Sequence, residues 1–135
     1  MVKSQTGDTN IFNLSNPMAY RCQILHYHSR LSRLYISVYQ GQKDIPAFYF
    51  LFSDVAYIDA PVSWQGADFS IAESQRCIDL MLERALIGPA ILQFPDAYAS
   101  ITAHAKLYTG RTFGPPIRLI AASAAMLQKI PDPLL

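Results

Sequence analysis

Residues 47–52 read Ala-Phe-Tyr-Phe-Leu-Phe, with no charged or amide side chain among them. Side chains along a strand alternate between faces, so Phe48, Phe50 and Phe52 share one side and Tyr49 and Leu51 the other. Both faces are then apolar. Left at an exposed edge, such a segment would template aggregation. It therefore belongs at the centre of a sheet, or between a helix on one face and a partner chain on the other.

The neighbouring sequence supplies that sheet. Residues 19–28 are rich in aromatic and β-branched side chains, and residues 34–40 alternate, with Leu34, Ile36 and Val38 on one face and Tyr35, Ser37 and Tyr39 on the other. Gly41-Gln42-Lys43-Asp44 provides turn chemistry before the third apolar stretch, residues 47–58. A three-stranded antiparallel meander follows from this order.

A helix is expected over residues 71–87. Ser70-Ile71-Ala72-Glu73 fits a capping box, and Ile78, Met81, Leu82, Ala85 and Leu86 form one helical stripe. Gly88-Pro89 offers a cap and a stop. Residues 101–108 alternate strictly and end at Thr109-Gly110, which favours a strand over the helix that the alanines and the spacing of Tyr98, Ile101, Ala105 and Tyr108 would allow. After Pro115-Pro116 a strand begins at residues 117–120, and from Ala121 onward either a strand or a short helix fits. The expected class is α+β, an antiparallel sheet of a three-strand meander, then a helix, then one or two more strands, packed on one main helix. Residues 1–16, polar apart from Ile11, Phe12 and Leu14, read as a mobile arm able to dock late. Residues 17–135 form a single domain, since no repeat, linker or low-complexity tract divides them.

Length and charge remove several function classes. A chain of 135 residues builds one core and needs no metal or disulfide staple. The net charge is +1 and no basic stripe is present, so nucleic acid is not an expected partner. The apolar runs fall short of the roughly 20 residues a membrane span needs, and no membrane partner is expected. Cys22 and Cys77 form no CxxC pair and are too few for a disulfide framework, which points to buried thiols. Residues 1–8 carry no apolar targeting core, so the expected compartment is the cytoplasm. The sequon Asn13-Leu14-Ser15 is set aside for the same reason. Only 16% of residues are charged, against about 25% in an ordinary soluble domain. A shortage of charge favours a homo-oligomer, or a sizeable patch for a protein or small-molecule partner.

Chemical motifs are few. The chain has no glycine-rich phosphate loop, GxSxG elbow, HExxH or CxxC, and no cofactor is expected. Asp79 and Glu83, beside Arg76 and Arg84, read as the solvated face of the helix and not as an acid/base pair. No catalytic residue is assigned, and the reading leans away from an enzyme. His26 and His28, two apart on a strand, present two nitrogens on one face. A metal would need a third ligand, His104, Asp54 or Asp59, and packing histidines are the commoner outcome. Trp64, Gln65 and Asp68, in the connection 61–69, combine an apolar plate with polar groups suited to a small ligand, although a tryptophan there more often anchors a loop. Tyr27, Tyr35, Tyr39 and Tyr49 are expected on one sheet face, with Tyr57 nearby, an amphipathic surface suited to a protein interface or a ligand cleft. The expectation is a non-catalytic binding or assembly module that homo-oligomerises through this aromatic-rich sheet face. The alternative is a metal-binding protein or metal-dependent enzyme using His26 and His28.

Overall fold

The computed structural model describes residues 10–130. Its elements run β1 (Tyr20–His28), β2 (Arg33–Gln40), β3 (Phe48–Ser53), β4 (Tyr57–Asp59), β5 (Ser63–Gln65), β6 (Asp68–Ile71), α1 (Ser74–Glu83), α2 (Ala97–His104), β7 (Lys106–Arg111), β8 (Ile117–Ala121) and β9 (Ser123–Leu127). Short 3₁₀ turns at Pro17–Ala19 and Pro89–Gln93 precede β1 and α2.

The class is α+β, all pairing is antiparallel, and β1, β2 and β3 form the expected meander. The strands divide, however, between two sheets. One has the order β9-β3-β2-β1-β5 and the other β4-β8-β7-β6. The chain changes sheet four times, once through the short connection 60–62 between β4 and β5 and three times at sharp backbone features. Asp54 turns with φ 53° after β3, Gly66 adopts φ 124° between β5 and β6, and Ala122 separates β8 from β9. Gly66 could carry no side chain: a Cβ there would lie 2.6 Å from the Arg111 carbonyl oxygen, and its φ strains any L-residue.

Placing β3 between β9 and β2 answers the constraint of residues 47–52. Phe48, Phe50 and Phe52 face the second sheet and join Leu34, Ile36, Val38 and Cys22 against Phe69, Tyr108, Ile117 and Leu119. Phe12 completes this layer, stacked on Phe50 with ring centroids 3.8 Å apart. Of the arm expected over residues 1–16, residues 1–9 lie outside the described residues, and from residue 10 the chain is tied to the core. Asn10 bonds through its amide to both the N–H and the carbonyl of Leu14, and the Ile11 N–H donates to the Phe69 carbonyl.

The helices form a third layer outside the four-stranded sheet. Cys77, Leu80 and Met81 of α1 cover Leu107 of β7 and Ile120 of β8. This helix is shorter than residues 71–87, and its ends differ from the expectation. Ser70 belongs to β6, where its hydroxyl pairs with that of Thr109 at 3.1 Å, so no capping box forms. At the other end Ala85 takes φ 58°, the Ala85 N–H donates to the Leu82 carbonyl, and the Leu86 N–H donates to the Met81 carbonyl. These two bonds make a Schellman cap with alanine in the left-handed position, one turn before Gly88. The expected strand at residues 101–108 is also corrected: its first half is helical, continuing α2, and only from Lys106 is it β7. No side chain of α2 is buried, so the helix has no apolar stripe and its alternation imitates a strand. Beyond Ala121 the alanines form β9.

Candidate functional site

Register assigns each surface side chain of the five-stranded sheet to a face. Tyr35 stands opposite Leu51, Ser37 opposite Tyr49 and Arg21 opposite Tyr39, while Leu51 and Tyr49 meet Ala125 and Leu127 of β9. Tyr35, Tyr39 and Tyr49 thus share the outer face, as the alternation implied, whereas Tyr27 pairs with Leu34 and falls on the other face. β2 and β3 present no charged side chain there between Arg33 at one end and Gln40 at the other. The nearest cation, Arg21, lies over the Tyr39 ring, 4.2 Å from its centroid. Tyr35 and Ser37 are only 3% and 2% exposed, and Tyr39, Tyr49 and Leu51 are half-buried. Both helices lie on the other sheet.

His26 and His28 also project from this outer face, their ring centroids 5.9 Å apart, because the bulge between Ile24 and His26 resets the alternation. The His28 ring accepts the Leu31 N–H at Nδ1. His104 is not on a strand; it ends α2 in the helical layer, so the three histidines do not converge. Among the described residues, no three His, Cys, Asp or Glu side chains gather as a metal site would require.

Trp64, Gln65 and Asp68 are separated by the crossing at Gly66. Trp64 faces the joint core from β5, 8% exposed, opposite Cys22. Gln65 Nε2 donates to the carbonyls of Met18 and Tyr20, fixing the entry to β1. Asp68 pairs with Arg111 at 2.9 Å on the four-stranded sheet. The segment 61–69 is therefore two short strands and not a free loop.

The second surface was not anticipated from the sequence. On the outer face of the four-stranded sheet, α1 covers one row of side chains, which includes Ile120 and Leu107, and stops there. The next row runs Asp59, Arg118, Thr109 and Ser70 across all four strands. It borders a cleft of ≈ 800 Å³ whose polar lining includes Asp68, Ser70, Arg76, Thr109, Arg111 and Arg118. Arg118 donates from Nε and Nη2 to Oδ2 of Asp59 at 2.9 and 2.7 Å, and this bond holds its guanidinium above the usual arginine range. The helix residue Arg76, read from the sequence as solvated surface, borders this cleft. The outward arginine of Ile117-Arg118-Leu119 was the one sequence signal for the row.

The two thiols are free and buried, as expected. Burial pushes the Cys22 thiol from 9.0 up to about 12, and it donates to the Gly66 carbonyl at 3.3 Å. Burial also raises Cys77, and it raises the Tyr108 phenol. Neither thiol has the electropositive, accessible setting of a nucleophilic cysteine. Among the described residues no helix is long and apolar enough to cross a membrane. Comparison of the chain with known protein families, with curated proteins and with solved structures finds no match.

Proposed function

We propose that the chain is a non-catalytic binding and assembly module whose outer five-stranded face pairs with the same face of a second copy. The observation that carries this reading is the charge-free stretch of outward side chains on β2 and β3 between Arg33 and Gln40, with Tyr39, Tyr49 and Leu51 half-buried, over which no described helix lies. A face with so little charge offers no complement to a charged partner, whereas a two-fold axis sets it against its own equivalent. Tyrosine suits such a contact, joining a large apolar ring to a hydroxyl that stays hydrogen-bonded.

Size sets the strength of the contact. Strands about 4.8 Å apart, rising about 3.3 Å per residue, give the face a footprint of roughly 500 Å². Two copies would cover roughly 1,000 Å² in total, near the lower bound for a specific interface. The expected affinity is micromolar. Light scattering at tens of micromolar tests the reading: a dimer mass is expected, and a monomer mass throughout that range overturns it. A cytoplasmic setting accords with the two unpaired thiols.

A second reading draws on the shared face of His26 and His28, a two-nitrogen half-site that a metal could complete with ligands from a paired copy. Titration with Zn²⁺ or Ni²⁺ tests it through the histidine ring resonances. Ring resonances that do not move under saturating metal remove it.

A further inference from the structure

Residues 112–116, the loop joining β7 to β8, divide two adjoining cavities. The arginine cleft lies on one side. On the other is a cavity of ≈ 550 Å³ whose lining includes Pro61, Trp64, Phe113 and Pro115. Thr112, Gly114 and Pro116 border both, so the two are one groove with a cationic end and an apolar end. The loop is braced from within: Thr112 Oγ1 donates to the Pro115 carbonyl and accepts the Gly114 N–H, each at 2.9 Å. That bracing leaves Phe113 80% exposed beside the apolar cavity.

We infer that this groove binds a small organic carboxylate with an apolar body. Three observations specify the ligand. First, one guanidinium at the cationic end is held in no ion pair. Arg111 is matched by Asp68 and Arg118 by Asp59, while Arg76 has no carboxylate partner among the described residues. A single guanidinium free of an ion pair suits a monoanion better than a doubly charged phosphate, and its fork geometry matches a carboxylate. Of the paired Ser70 and Thr109 hydroxyls, the one that accepts from the other keeps its own proton to turn to the same anion. Second, the indole Nε1 of Trp64 is buried and has no hydrogen-bond partner, although Trp64 lines the apolar cavity. Orphaned buried donors are rare in native proteins, and a small shift of the indole on binding would let a carbonyl or ether oxygen on the ligand supply the missing acceptor. Third, Phe113 and the flanking prolines give an apolar body a surface to cover, which removes that exposed ring from water. The carboxylate sits at Arg76 and the body reaches past the 112–116 loop towards Trp64.

The arginine end lies on the outer face of the four-stranded sheet, and the indole signal and the oligomer mass are separate readouts, so this inference and that one fail independently. Trp64 is the chain's one tryptophan, and its emission and its single indole N–H resonance report on the groove without a label. The test titrates phenylpropionate, longer aryl and alkyl carboxylates, their neutral amides and inorganic phosphate. Carboxylates are expected to bind and to move the indole N–H resonance, with each amide about tenfold weaker and inorganic phosphate leaving the indole unmoved. Arg76→Ala, on an exposed turn of α1, should weaken the acids by about tenfold and leave the amides alone. Phe113→Ala should weaken acids and amides alike. The inference is overturned if no carboxylate of the panel perturbs Trp64 at millimolar concentration. Acids and amides of equal affinity, or acids indifferent to Arg76→Ala, overturn it as well.

Discussion

The two sheets share one core but finish their outer faces differently. On the four-stranded sheet the chain covers half of the face with α1 and fills the other half with ion pairs and hydroxyls. On the five-stranded sheet β2 and β3 turn tyrosines, a serine and a leucine outward, and no described helix lies over them. The difference assigns different work to similar side chains. A residue beneath α1 holds the fold, a residue in the arginine row shapes a groove, and on the tyrosine face Tyr39, Tyr49 and Leu51 keep part of their surface open while Tyr35 and Ser37 are buried.

Several measurements would break or sharpen this contrast. The largest effect is expected in alkali and concerns the shared core. In the unfolded chain the Cys22 thiol ionises near 9.0, whereas in the fold it keeps its proton to about 12. Its contribution is fully present below pH 9 and is lost as pH rises through the folded value, because the unfolded state gives up its proton first. Chemical denaturation should show stability falling between these limits, by roughly 4 kcal/mol from Cys22 alone. Cys22→Ala should flatten that decline; an equally steep one would mean the inner layer is wetter than described.

Next comes the layer under the helix. Ile120→Ala removes a buried side chain held between α1 and β8 and should cost about 3 kcal/mol in urea unfolding. Leu51→Ala on the opposite outer face should cost the isolated subunit about 1 kcal/mol or less. Equal costs would erase the distinction between the faces. The third effect is smaller: Asp59→Asn removes the half-exposed charge partner of Arg118 and should cost about 1 kcal/mol, less at high salt. The last is a gain. Ala85→Gly relieves the left-handed alanine that caps α1 and should stabilise the fold by about 1 kcal/mol.

The same contrast marks what could be read from the sequence. The meander was legible because Leu34, Ile36 and Val38 alternate with Tyr35, Ser37 and Tyr39 over a full strand, and the outward tyrosines came with it. The apolar stripe of α1 was legible in part, since Ile78 and Met81 are buried while Ala85 and Leu86 fall beyond the helix end. The four-stranded sheet was not. Three of the strands that follow β3 span three or four residues each, too short for any period to register, and two of them belong to different sheets on either side of Gly66. Ser70 satisfied a capping pattern while its hydroxyl served Thr109, because Ser-x-x-Glu is as compatible with a strand end as with a helix start. The arginine cleft was hidden for a topological reason: Arg76, Arg111 and Arg118 come from a helix and two strands, and only the register of β6, β7, β8 and β4 brings them together.

The central claim is that the tyrosine face joins two copies, and inserting a charge there tests it most directly. Sedimentation equilibrium of the wild-type chain and of Tyr49→Arg, with circular dichroism as the check on folding, is the measurement. The account predicts a concentration-dependent dimer for the wild type and a folded monomer for the variant. A wild type that stays monomeric, or a dimer that Tyr49→Arg leaves intact, would contradict it.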